Sequence, residues 1–343
     1  MNTKPILVIA GLCSLFAACS TRPQPKLCIA EAAMSDRIVP TPDDWFALLL
    51  HGFSREQGVA PSPTVDCSGV PVMWREPEAA ECRESGPEPK ALPPPGRLTE
   101  EDLVLETVRA DLRLVWVVAR RFDNGEGLGP VGLVERTSQG FVVRALGSLR
   151  AYPRQSRLRL EQAGDITVLV AEGDVCTDEG PPVCRRMARV LPLRQGRFFA
   201  EAVSSSEDGS CLGPAWFPLS REETLTLPNG LQRKVEFTST LAVKPEGIVL
   251  DEQVVMHNLD PQEPSLPPLL YRRAQAQRVL AVKNARLVGT IPSLWVKLME
   301  PELLAGAKLW TPASSPTPLE APLQPKPMGV PPVPAAQTAE VRP

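Results

Sequence analysis

Residues 222–257 read EETLTLPNGLQRKVEFTSTLAVKPEGIVLDEQVVMH, and this stretch decides the fold. Val235, Phe237, Ser239, Leu241 and Val243 alternate with polar or small residues, the period-2 pattern of a half-buried strand. Asn229-Gly230 ahead of them is the dipeptide of a two-residue type I′ hairpin. Lys244-Pro245-Glu246-Gly247 turns the chain again, and Ile248–Met256 returns. The stretch predicts a three-stranded antiparallel meander.

The same signals continue upstream. Leu112–Phe122 carries Val115, Trp116, Val117 and Val118 and runs into Asp123-Asn124-Gly125. Residues 131–135 and 141–146 flank Ser138-Gln139-Gly140, residues 156–161 alternate charge with leucine, and Ala163-Gly164-Asp165 leads into Ile166–Val170. Long helical periodicity is scarce. The prediction is a mainly β chain: an antiparallel meander, sandwich or barrel-like sheet with one or two short helices. Residues 293–310 are ambiguous, with Pro301-Glu302 able to open a short helix.

Proline sets the boundaries. The chain has 39 prolines in 343 residues, about twice the usual share. Residues 99–310 are near normal and form the β region, which divides into 99–200 and 201–310 if there are two subdomains. Residues 19–98 and 311–343 hold the excess. One helix is expected near 42–53: Thr41 caps, Pro42 suits the first helical position, and Asp43 and Asp44 favour the positive end. Trp45, Leu48 and Leu49 share its face, and Gly52 can end it. The tail 311–343 has ten prolines, no aromatic residue and four charges, too little apolar surface to offset ordering, so it is expected to be disordered. It is either an inert end or a partner-binding, envelope-spanning segment.

Residues 1–18 have the make-up of an export signal: Lys4, then the apolar run 6–18, too short to cross a bilayer. Phe16-Ala17-Ala18-Cys19 resembles the lipobox of bacterial lipoproteins, with Phe16 where that family usually carries leucine. The resemblance covers residues 1–20. It implies that Cys19 is lipidated and becomes the first residue of the mature chain; Ser20, rather than aspartate, points to the outer membrane. The other reading is a plain secretory signal cut after Ala18. No further run of apolar residues is long enough to span, and even 112–119 is interrupted by Arg113.

Six cysteines then remain: Cys28, Cys67, Cys82, Cys176, Cys184 and Cys211. An even count in an exported chain predicts disulfides. Three are early and three late, so full pairing requires a bond between the two groups. Cys176–Cys184 across TDEGPPV is the first expectation, Cys67–Cys82 the second, leaving Cys28–Cys211. No CxxC argues against a redox motif or a zinc ribbon.

A charge of −3 excludes nucleic-acid binding driven by bulk positive charge, and two histidines make a multi-histidine metal centre unattractive. No cofactor is expected. His51-Gly52-Phe53-Ser54 is similar to an oxyanion-loop segment of α/β-hydrolases, but no Gly-x-Ser-x-Gly elbow accompanies it, and His257 lies in a strand-like run. Gly125-x-Gly127-x-Gly129 precedes β-like sequence, where a phosphate loop would open a helix, and reads as a hairpin connection. Arg144, Arg150, Arg154, Arg157 and Arg159 fall in a window without an acid and could form a surface for an anionic partner. Arg272-Arg273 beside Tyr271 is a smaller basic site; Trp116, Trp216 and Trp295 read as core anchors.

Three functions follow. The leading one is a non-enzymatic envelope lipoprotein, held to the membrane by its lipid and working as a structural or protein-interaction module. The second is a carrier of lipid or another apolar ligand, with a cavity lined by residues such as Leu241, Val243 and Val254. The third is an enzyme without a recognisable motif.

Overall fold

The computed structural model describes residues 27–29, 40–74, 89–138, 140–176, 184–200, 202–263, 265–284 and 286–309. The export signal, Cys19, Cys82 and the tail 311–343 lie outside the described residues. The chain is mainly β, as its turn-rich alternating sequence requires.

In chain order the elements are β1 (Cys28–Ile29), α1 (Pro42–Leu49), β2 (Leu103–Arg109), β3 (Leu112–Val117), β4 (Arg120–Arg121), β5 (Gly127–Thr137) and β6 (Gly140–Ala151). Then come β7 (Arg157–Ala163), β8 (Ile166–Cys176), β9 (Cys184–Arg194), β10 (Arg197–Phe198), β11 (Val203–Ser205) and β12 (Cys211–Gly213). The last group is β13 (Trp216–Thr226), β14 (Gln232–Lys244), β15 (Gly247–Leu259), β16 (Leu269–Lys283), β17 (Arg286–Gly289), α2 (Leu294–Leu304) and β18 (Lys308–Leu309).

Two antiparallel ladders carry the fold. One runs β2–β3–β5–β6. The other runs β7–β8–β9–β13–β14–β15–β16. The short β10 joins them, antiparallel to β9 and parallel to β6. A second parallel pairing, β11 with β17, makes the sheet mixed rather than purely antiparallel.

The expected meander is β13–β14–β15, and β16 extends it to four strands. Its first turn differs from expectation. Gly230 has φ +82° but Asn229 does not have positive φ, so the loop is not type I′. Pro228 explains this: its ring fixes φ near −65° and fits the second position of a type I turn. Gly230 N–H then bonds Leu227 O at 2.9 Å, and the glycine takes the left-handed position that closes a three-residue loop.

The apolar runs are explained by cores on both faces of a strand. Leu114, Trp116 and Val118 point into one cluster with Leu133, Leu149, Leu169 and Leu191. Val115, Val117 and Ala119 point the other way, against Trp45, Phe46 and Leu49 of α1. Strands β8 and β9 behave alike: Leu169, Ala171 and Leu191 face the first cluster, while Val168, Val170 and Val190 face a third with Phe217, Ile248, Leu250 and Leu280. A strand covered on both faces has no polar side to alternate, which is why 114–119 and 168–171 read as continuous apolar sequence. The fourth cluster lies between the meander and α2, where Val235, Phe237, Val254 and Met256 meet Trp295, Leu298 and Met299.

Helix α1 starts as its sequence dictates. Thr41 N–H and Thr41 Oγ1 both donate to Asp44 Oδ2, at 2.7 and 2.8 Å. Burial alone would push the Asp44 carboxyl up; the Thr41 bonds and the Arg55 guanidinium at 2.6 Å overcome it and hold the carboxyl below its ordinary range. Helix α2 starts earlier than expected. Pro301 lies inside it instead of opening it. Ser293 Oγ accepts Trp295 N–H, and buried Glu252 accepts Leu294 N–H at 2.7 Å. The overlooked cap was a serine whose carboxylate helper sits on β15.

The disulfide expectation is corrected. Cys28 bonds Cys67, so neither Cys28–Cys211 nor Cys67–Cys82 forms. Strand pairing is the cause. β1 lies on β6 with Cys28 opposite Val143, and Cys67 N–H bonds Leu49 O at the end of α1. The two cysteines, 39 apart in sequence, are thereby brought to the same helix. Cys176 and Cys211 are disulfide-bonded as well, and the β8–β9 register sets Cys184 directly opposite Cys176. Non-reducing peptide mapping of the oxidised protein is therefore expected to yield Cys28–Cys67, Cys176–Cys184 and Cys82–Cys211. A peptide joining Cys82 to Cys176 would contradict it.

Candidate functional site

The five arginines of 144–159 do not form one surface. Arg144 pairs with Glu135 at 2.6 Å, Arg159 with Glu172 at 2.6 Å, and Arg150 is buried against Glu126 at 2.7 Å. Only Arg154 and Arg157 are exposed without an ion pair among the described residues. The window looked unbalanced because its acids come from neighbouring strands: Glu135 reaches Arg144 across β5–β6, and Glu172 reaches Arg159 across β7–β8.

Arg150 belongs to a buried cluster that sequence reasoning missed. Glu126 is 1% exposed and accepts from Arg150 and from Arg189, the latter at 2.9 Å. Asn124 Nδ2 donates to the same carboxylate at 3.0 Å. The Arg189 guanidinium lies 4.4 Å from the Trp74 ring and 5.9 Å from that of Trp216, and Arg150 lies 5.0 Å from Phe122. Burial pushes the Glu126 carboxyl up, but Arg189 and then Arg150 outweigh it and hold it below the usual carboxylate range. The cluster is closed by aromatic rings, and it ties Trp74 of the N-terminal segment to β9.

The enzyme-like strings fall at a helix end and in a hairpin turn. His51 is an exposed residue just past α1, with its N–H on Val65 O. Gly125 sits in the β4–β5 turn, and Gly129 is forced by close approach: a Cβ there would lie 1.6 Å from Val117 O. Trp116 and Trp295 are buried anchors, while Trp216 is half-buried beside Arg189. Leu241 and Val243 pack into the third cluster and Val254 into the fourth.

Among the described residues, the most exposed large apolar side chains are concentrated on β16 and the segment before it. Leu266 is 54% exposed, Leu269 71%, Leu270 63% and Tyr271 50%. β16 pairs with β15 on one side; on the other it meets only β17, at Ala281–Lys283. Its outer edge from Leu269 to Leu280 therefore has no strand neighbour among the described residues, a length of about 40 Å at roughly 3.3 Å per residue.

Side-chain chemistry on this strand is one-sided. LLYRRAQAQRVLAVK carries Arg272, Arg273, Arg278 and Lys283 and no acid. Arg278 is neutralised by buried Glu252 at 2.6 Å. Arg272 and Arg273 are exposed and have no hydrogen bond or ion pair with the described residues. A bulge at Met256/His257 leaves Tyr271 out of register, and its ring stacks 3.5 Å from the Arg233 guanidinium, which Asn258 and Glu302 hold at 3.0 and 2.7 Å. Tyr271 is thus fixed against the sheet while the leucines before it stay exposed. The sequence did contain the signal: leucines directly after Pro267-Pro268, then a strand with four cations and no carboxylate.

No described helix is long and apolar enough to cross a membrane. Comparison with protein-family models, with curated proteins and with solved structures returns no match for this chain.

Proposed function

We propose that this chain is a non-enzymatic cell-envelope lipoprotein, exported, anchored through lipidated Cys19 to the outer membrane, and acting as a protein-interaction module. Oxidised cysteines suit an extracytoplasmic compartment. The lipobox-like signal supplies the anchor. The observation that carries the interaction reading is the open β16 edge with its exposed leucines. An exposed edge strand is a template for pairing, and an apolar patch beside it marks a contact surface.

The test is a pull-down from chemically cross-linked envelopes with three forms: the native protein, Leu269→Ser/Leu270→Ser, and a chain truncated after Trp310. A discrete envelope protein is expected with the native form and the truncated form, and is expected to fall at least several-fold with the double variant. Recovery of the same protein at the same yield from all three would remove the edge from the reading. Turnover of a defined substrate by the purified chain would replace it with an enzyme.

A further inference from the structure

We infer that the outer edge of β16 receives an extended acidic segment of a partner protein as an added strand; this deepens the proposed function and rests on it. The backbone supplies the first half of the argument. From Leu269 to Leu280 the outward N–H and C=O groups face no strand among the described residues, and an extended peptide satisfies such a row by continuing the ladder.

Charge supplies the second half. Arg272 and Arg273 are both exposed, adjacent and unneutralised, on a strand that carries no acid. An added strand places its side chains directly opposite those of β16, where opposite charges stabilise and like charges oppose pairing. The segment that fits has acidic residues across from Arg272 and Arg273 and apolar ones across from Leu269 and Leu270. The same rule disfavours a second copy, since two β16 edges would bring together the unneutralised Arg272 and Arg273 of each with no acid on either strand to offset them. The chain's own tail is a poor occupant because ten of residues 311–343 are proline and lack the N–H that a ladder needs. The acids nearest in sequence, Asp260 and Glu263, precede the strand; Asp260 Oδ1 accepts Gln262 N–H at 2.9 Å.

The probe is a fluorescent synthetic peptide carrying Glu-Glu-Thr-Val-Val, which in antiparallel register sets glutamates opposite Arg273 and Arg272 and valines opposite Leu270 and Leu269, with the Lys-Lys-Thr-Val-Val peptide as control. The protein is the full chain carrying Cys19→Ser, so the outcome does not depend on anchoring. Saturable binding of the glutamate peptide is expected, at least tenfold tighter than the lysine peptide. Arg272→Glu/Arg273→Glu is expected to invert that preference, and both substitutions are at exposed positions. Hydrogen–deuterium exchange should show amides of 270–280 protected when the glutamate peptide is added. Equal binding of the two peptides, or protection elsewhere, overturns the inference. So does light scattering that finds a dimer dissociated by the double substitution, which would assign the edge to a second copy. Failure of the peptide with a successful pull-down would leave the proposed function standing and remove only the acidic strand.

Discussion

Glu126→Gln is expected to cost about 3–5 kcal/mol of stability, because it neutralises the buried carboxylate that two buried guanidiniums share. Glu126 bonds both Arg150 and Arg189, and all three side chains are at most 6% exposed. A loss of that size corresponds to a fall in Tm on the order of 10 °C for a chain of this length. Glu222→Gln is the control: its pair with Lys234 is partly exposed and Lys234 keeps Glu236 at 2.7 Å, so the cost should stay below about 1 kcal/mol. The pH dependence has a defined sign. The folded carboxyl of Glu126 is held below its ordinary 4.5. Its contribution is therefore complete above the unfolded value and is lost as pH falls through the lower, folded one. Acid unfolding of the native protein should be steeper across that window than that of Glu126→Gln. Equal denaturation midpoints for the two proteins would show that the cluster does not hold Trp74 and β9 together.

The second large effect is at Cys19. Each buried methylene contributes about 0.8 kcal/mol, one chain alone holds only marginally, and two or more anchor durably. Cys19→Ser is expected to shift the protein from the membrane fraction almost wholly into the soluble one. Its mass should lose the acyl groups that the native product carries on residue 19. Unchanged mass and partition would leave a plain secretory signal as the better account of residues 1–18 and would remove the anchor from the proposed function.

Much of the architecture was legible because turn and strand signals are local. Alternation at 235–243 and the turn signals at 229–230 and 244–247 gave the meander, and Thr41-Pro42-Asp43-Asp44 gave α1. What was missed is non-local. Nothing near Cys28 says that it will lie on β6, so Cys67 could not be recognised as its partner. The arginine window looked like a surface because its neutralising acids arrive from other strands. Glu126 carries no motif at all; its role exists only after Arg189 arrives 63 residues later. The edge on β16 was half legible. Arg272 and Arg273 stood out, but a bare edge is defined by the missing neighbour, which only the ladder reveals.

Because β8 and β9 give one face to each of two cores, neither half of the β region has a version of these strands suited to water on the other side. A polypeptide ending near residue 200 would present Val168, Val170 and Val190 to solvent as a bare apolar wall. One beginning near residue 201 would lack the wall it is built upon. The β region is consequently expected to form and come apart as one unit, with no place near residue 200 at which it can be divided.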